Sequence, residues 1–514
     1  MFFRRVLSKP RKKQRTLLNV EVLESRDAPT AAPGNDLLWK AYPSANAFKL
    51  HSNPGANQVI YLDFDGETVA GTQWNTDANG GSPFTVSPWS MDGNRNAFST
   101  AEQDKIIELW RMIAEDFAPF NVNVTTENPG LEALRKVNAA DTKWGMHVIL
   151  GPVPSVSDSN FFSGAGGIAY LNSFNDAVDT PCFAFNGDSS ATPEDSLPVT
   201  VSHEVGHTFG LDHDGTSSQG YYGGHGSGNV SWGPIMGAPF GINLTQWSRD
   251  TYPDANNPED DLTKITTGHG FGYRKDDVGN TAASGKVING ASQAALNPTY
   301  GLIEKNTDSD FYKFYADPGS INIKIDSLFV GPNLDILATL YGPNGAVVAT
   351  SNPLAETFAS FSLNLTQKGA YTIKITGTGL AGATGYPKYG SLGSYRITGT
   401  VTPYTPEGAS FRSLNPVRWS YSPSSGIFSG YITVANITKI SFSGSFTFEI
   451  TLPSSSIQVI TPNGVQKGNK LTLTYTGTLL PNKPLRIYLQ LVNPLRLALG
   501  TGIHSWVTKI TANS

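Results

Sequence analysis

The chain has 514 residues, more than one hydrophobic core usually supports, so two or more domains are expected. Hydrophobic residues at 39% and charged residues at 15% describe turn-rich globular domains whose polarity is carried largely by uncharged side chains. A net charge of -5 leaves no basic footprint for nucleic acid, the single cysteine Cys182 excludes an intramolecular disulfide, and no apolar run reaches the roughly 18 residues of a membrane span.

Residues 1–50 read as a basic, disordered N-terminal segment. The first fifteen residues carry seven Arg or Lys and no acid, without the apolar stretch of an ordinary secretory signal. The following RTLLNVEVLESRDAPT resembles a short motif at the start of many exported bacterial surface proteins, which implies an extracytoplasmic location. A solvated basic tail is the alternative.

From about residue 51 the pattern becomes α/β. NQVIYLDFDG is an apolar run closed by a glycine turn, which predicts a buried strand. In STAEQDKIIELWRMIAEDFAPF, Ser99 and Glu102 form a capping box. Ile106, Trp110, Ile113 and Phe117 recur at helical spacing until Pro119 stops the helix. FNVNVTT, MHVILG, GGIAYLNSF and CFAFN are strand candidates, and Cys182 in the last of them reads as an inert buried hydrophobe.

The stretch VSHEVGHTFGLDHDG, residues 201–215, carries the chemistry. On a helix His203 and His207 lie one turn apart, so both imidazoles reach one ion. Gly210 stands where the helix must end, and its freedom to take positive φ lets the chain turn and bring His213 round as a third ligand. Three nitrogens leave a fourth position open for water, the mark of a catalytic rather than a structural zinc site, and Glu204 is placed to act on that water as general base. Three of only eight histidines falling between residues 203 and 213 argue against three unrelated side chains.

These residues match HExxHxxGxxH, and the chain resembles the metzincin zinc endopeptidases. The resemblance implies one catalytic Zn²⁺ and a Met-turn beneath the metal, for which GPIMGAP offers Met236. It implies that Asp214 is a structural hydrogen-bond acceptor rather than a ligand. It also implies an edge strand that pairs with extended substrate, placed at Gly167, Ile168, Ala169 and Tyr170. No tyrosine stands two residues after Met236, so a switching tyrosine ligand is not supported there.

After about residue 280 helical periodicity vanishes. DFYKFYA, INIKIDSL, DILATLYG, AVVATSN, AYTIKITG and YRITGTV are short alternating segments separated by turns. Residues 284–401 resemble the bacterial pre-peptidase C-terminal domain, a β-sandwich appended to secreted proteases. From the linker TPYTPEG onward, residues 402–514 resemble an immunoglobulin-like bacterial sandwich.

The fold expected is therefore an α/β metzincin-like catalytic domain with a mixed sheet over 51–283, followed by two all-β sandwiches. The function expected is a secreted or cell-surface zinc endopeptidase acting on protein or peptide, its sandwiches offering cell-surface or matrix contact. A zinc-containing adhesion protein with a residual site is the alternative. Because the ligands and Met-turn precede residue 283, a cut there is expected to spare activity. Calcium is left unassigned: Asp63 with Asp65, and Asp276 with Asp277, are more simply turn caps, and no EF-hand spacing occurs.

Overall fold

The computed structural model describes residues 35–185, 196–289, 293–382, 384–405, 411–414, 419–437, 441–452, 454–461, 464–493 and 507–513. The export-type motif and part of TPYTPEG lie outside the described residues.

The apolar run around Ile60 forms β1 (Gln58–Asp63), in which every residue is buried. It is followed by a short hairpin, β2 (Glu67–Val69) and β3 (Phe84–Val86), with the helix α1 (Gln73–Asn79) between its strands. Helix α2 (Thr100–Asp116) starts at the capping box: the Ser99 side chain accepts from the Glu102 amide, and the Glu102 carboxylate accepts from the Ser99 amide at 2.8 Å. β4 (Val122–Thr125), β5 (Trp144–Gly151), the two-residue β6 (Gly167–Ile168) and β7 (Cys182–Phe185) complete a mixed sheet of order β4-β1-β5-β7-β6. Its pairings are parallel except β6 against β7.

Helix α3 (Leu197–Thr208) carries the histidines and packs with α2 on one face of that sheet. Ile60, Leu62, Val124, Met146, Val148 and Cys182 meet Ile106, Trp110, Val201 and Val205 there. The opposite face holds a separate aromatic cluster of Trp74, Phe84, Phe162, Phe183 and Phe185. A parallel pair, β8 (Trp232–Pro234) and β9 (Leu244–Gln246), and helix α4 (Asp261–Gly268) follow.

The disorder expected of residues 1–50 fails for its last part. Leu38, Ala47 and Leu50 are buried in the same core as α2, and Arg111 donates to the Leu38 and Lys40 carbonyls at 2.7 Å each. Three apolar side chains and a fixed guanidinium offset the entropy of ordering this stretch.

Residues 286–400 form two facing sheets. One is built from β10 (Lys286–Val287), β12 (Asp310–Ala316), β17 (Gly369–Gly377), β14 (Ile336–Tyr341) and β15 (Val347–Ser351). The other is built from β11 (Thr299–Ile303), β18 (Gly393–Thr400), β13 (Gly319–Ser327) and β16 (Ala359–Leu365). Buried residues alternate with half-exposed ones along β12, and from Ile321 with exposed or half-exposed ones along β13, the signature of a sheet covered on one face. The described strands between Phe411 and Asn513 form two further antiparallel sheets around Ile432, Phe446, Phe448 and Leu489.

The sandwich of residues 286–400 is joined to the helix-bearing part by more than its linker. Glu115 and Asp116, at the end of α2, are buried. Glu115 accepts from the Ser394 amide and hydroxyl at 2.8 and 2.7 Å, and Asp116 accepts from Asn333 at 2.8 Å. Gln246 donates to the Asn333 carbonyl at 2.6 Å, and Tyr389 donates to Asp260 at 2.7 Å. One continuous apolar core runs through both parts.

Candidate metal centre

The end of α3 explains how three histidines converge. Gly210 has φ +82, the Gly210 amide donates to the His207 carbonyl at 2.8 Å, and the Leu211 amide donates to the Gly206 carbonyl at 3.1 Å. This pair of bonds is a Schellman cap, which reverses the chain within two residues and requires a left-handed residue at the position Gly210 fills. His213 is thereby brought beside His207, with Nε2 of each 2.9 Å apart, and one ring nitrogen from each of His203, His207 and His213 lies within 4.8 Å of the others.

The tautomers follow from the partners. His203 Nδ1 meets the Ile235 carbonyl at 3.0 Å and His207 Nδ1 meets the Leu211 carbonyl at 2.7 Å. A carbonyl only accepts, so each Nδ1 carries the proton and each Nε2 keeps its lone pair. Burial, with the neighbouring His207, drives His203 down to about 3, and burial lowers His207 and His213 as well. With His213, whose Nε2 faces that of His207, the two helix histidines form three imidazoles converging on one point, a donor set that fits a dication such as zinc.

Glu204 lies in the same cleft, 7% exposed, and burial raises its carboxyl to about 8. The cleft is about 500 Å³ in volume, and Gly167, Val199, Thr200, Tyr221 and Phe240 line it together with the histidines and Glu204. β6 is the edge strand of the sheet and crosses close over Glu204: a Cβ at Gly167 would stand 2.6 Å from Glu204 Cγ. Of the four residues expected in this strand only Gly167 and Ile168 are paired. Tyr170 instead lays its ring on Trp74, with centroids 3.9 Å apart, and donates to Asp77.

Met236 is fully buried, its sulfur packed under Gly206 of α3, and its carbonyl accepts from the Asp214 amide at 2.8 Å. The Asp214 carboxyl is buried, and that burial raises it to about 7. Its side chain is absent from the histidine cluster.

Tyr221 escaped the sequence reading, although its ring centroid lies 4.3 Å from that of His213 and 6.0 Å from that of His203. No periodicity marks a residue in an irregular loop between the third histidine and the Met236 turn. Cys182 is fully buried, and burial holds its thiol well above the usual range.

The two acid pairs expected as turn caps do cap turns: the Asp65 amide donates to Asp63 and the Val278 amide to Asp276. Each also joins a larger cluster. Asp276 stands with Glu304 and Asp308, and Asp63 with Glu67 and His147. In the first cluster Glu304 is 1% exposed and neither of its carboxylate oxygens meets a donor. Asp277 Oδ1 and Asp310 Oδ1 are likewise buried without partners. Burial and the neighbouring acids push Glu304 up to about 11.

No curated protein matches the chain. Among solved structures, the pre-peptidase C-terminal domain of a collagenase from Bacillus anthracis aligns at 14% identity over 25% of this chain and 98% of that one, with a TM-score of 0.17. A GH2 β-galacturonidase from Eisenbergiella tayi aligns at 11% identity over 39% of this chain and 30% of that one, with a TM-score of 0.13. A family model described as metallo-peptidase family M12B, reprolysin-like, matches residues 133–214, the stretch that contains β5, β6, β7, α3 and all three clustered histidines.

Proposed function

We propose that this protein is a zinc-dependent endopeptidase acting outside the cytoplasm, with His203, His207 and His213 holding one zinc ion and Glu204 as general base. The observation that carries this reading is the set of three neutral imidazoles sharing a cleft with a buried carboxylate and an edge strand. The match of residues 133–214 to a metallopeptidase family supports it.

When bound, zinc supplies Lewis acidity toward water and the scissile carbonyl. Glu204 accepts a proton from the attacking water and returns it to the leaving amine, two steps served by one carboxylate. The carbonyls of Ile235 and Leu211 hold the two helix imidazoles in the tautomer that leaves Nε2 free. β6 offers backbone groups to an extended peptide, so affinity follows from main-chain pairing and demands little of the substrate sequence. The protease unit is assigned to residues 51–283, with sandwiches over 284–401 and 402–514 as appended modules suited to cell-surface or matrix contact.

Incubating the full chain with a denatured protein mixture should yield new internal termini, abolished by a chelator and restored by zinc. Zinc-loaded protein that generates no new termini would leave the adhesion-protein reading in its place.

We propose calcium as the occupant of the Asp276, Glu304 and Asp308 cluster. A hard dication takes oxygen ligands, and it would meet the two unpartnered Glu304 oxygens that otherwise stand buried among like charges. Calcium at millimolar concentration should raise the melting temperature of the full chain, and Glu304→Gln should remove the increment. An increment that survives Glu304→Gln places calcium elsewhere.

A further inference from the structure

β5 is hydrophobic along its length except at His147, and alternation fixes where that side chain points. Met146 and Val148 enter the core beneath the helices, so His147 emerges on the opposite face of the sheet, away from α3. There its ring stacks on Tyr61, its register partner on β1, with centroids 5.2 Å apart. Both ring nitrogens face acids. Nε2 lies 3.0 Å from Asp63 Oδ2, and Nδ1 lies 3.2 Å from Asp179 Oδ2. Glu67, the first residue of β2 after the turn that closes β1, contributes a third carboxylate within 4.8 Å of the Asp63 and His147 atoms.

We propose that Asp63, Glu67 and His147 Nε2 bind a second divalent transition-metal ion, with Asp179 holding the imidazole from behind. Four observations carry the assignment. The separations fit, because ligands on bonds of roughly 2.0–2.2 Å stand about 3–4 Å apart around one ion, and Nε2 and Asp63 Oδ2 already do. The second shell fits: a carboxylate on the far ring nitrogen is the usual partner of a metal-bound histidine, where it fixes the tautomer and the ring plane. The charges fit. An imidazolium alone sets one positive charge against three carboxylates, whereas a dication beside a neutral imidazole supplies two.

Access fits as well, since a cavity of about 340 Å³ lined by Glu67, Thr72, Arg135, His147 and Asp179 opens onto the cluster. One imidazole among carboxylates suits zinc or manganese better than calcium, which takes oxygen alone.

The role is structural. Such an ion ties the end of β1 and the start of β2 to the middle of β5, and through Asp179 it steadies the loop entering β7. β7 carries the edge strand β6, so the register of the cleft's rim rests on this clamp.

The test uses the full chain, stripped by a chelator and titrated with zinc, with bound metal counted by elemental analysis. The wild type should hold two equivalents. His147→Ala and Glu67→Gln should each weaken one equivalent by at least tenfold, and the doubly substituted His203→Ala/His207→Ala chain should keep this one while losing the other. Glu67 is half-buried on a short hairpin, so Glu67→Gln leaves the core intact even if His147→Ala fails to fold.

Two equivalents undiminished in Glu67→Gln would overturn the assignment. So would a single wild-type equivalent that vanishes in the His203→Ala/His207→Ala chain. A single equivalent that survives in that chain and weakens in Glu67→Gln would uphold this site and defeat the proposed catalytic one.

Discussion

Glu204→Gln should lower the rate of peptide hydrolysis by about 10² to 10⁴, the range a positioned acid/base group contributes, while zinc content and melting temperature stay close to wild type. The two side chains are nearly isosteric, and Glu204 is surrounded by the cleft and the backbone of β6, so the exchange leaves α3 in place. The chemical difference is the whole effect, because an amide cannot accept a proton from water. Steady-state kinetics on a peptide found among the cleavage products measures it. A zinc-loaded variant retaining more than about a tenth of the wild-type kcat would reject Glu204 as general base.

The same residue shows what sequence could and could not reveal. The helix, its glycine stop and the three histidines all lie within one short stretch, so 3.6-residue periodicity and the left-handed preference of glycine were enough to place His203, His207 and His213 together. The capping box of α2 was legible for the same reason, as were β1 and the alternating strands of 286–400.

Position in space is a different matter. That β6 shrinks to Gly167–Ile168 depends on Tyr170 finding Trp74 and Asp77, residues more than ninety positions away. Helix α4, with its β-branched DLTKITTG, carries too weak a propensity to be read locally. Likewise, Asp63 read as a turn cap because its second partner, His147, comes from a different strand.

The least legible feature is the seam between the helix-bearing part and the sandwich of 286–400, and it reverses one expectation. A chain cut near residue 283 keeps His203, Glu204, His207 and His213, yet it should fail to unfold as a cooperative unit or melt far below the full chain. Removing the sandwich strips Glu115 of Ser394 and Asp116 of Asn333, and it leaves Gln246 without the Asn333 carbonyl. Each group whose partner is replaced by water loses about 0.5–1.5 kcal/mol net, and a charged one about 1.5–3. Three such groups, together with the apolar surface that the shared core would expose, approach the roughly 5–15 kcal/mol that holds a domain folded. The loss also reaches the site: Asp116 accepts from Ser202, the residue before His203, so the end of α2 braces the histidine helix from the side the sandwich covers. Thermal unfolding of residues 35–283 beside the full chain, each loaded with zinc, measures the effect. A cooperative transition within a few degrees of the full chain's would show that the seam contributes little and that the protease unit stands alone.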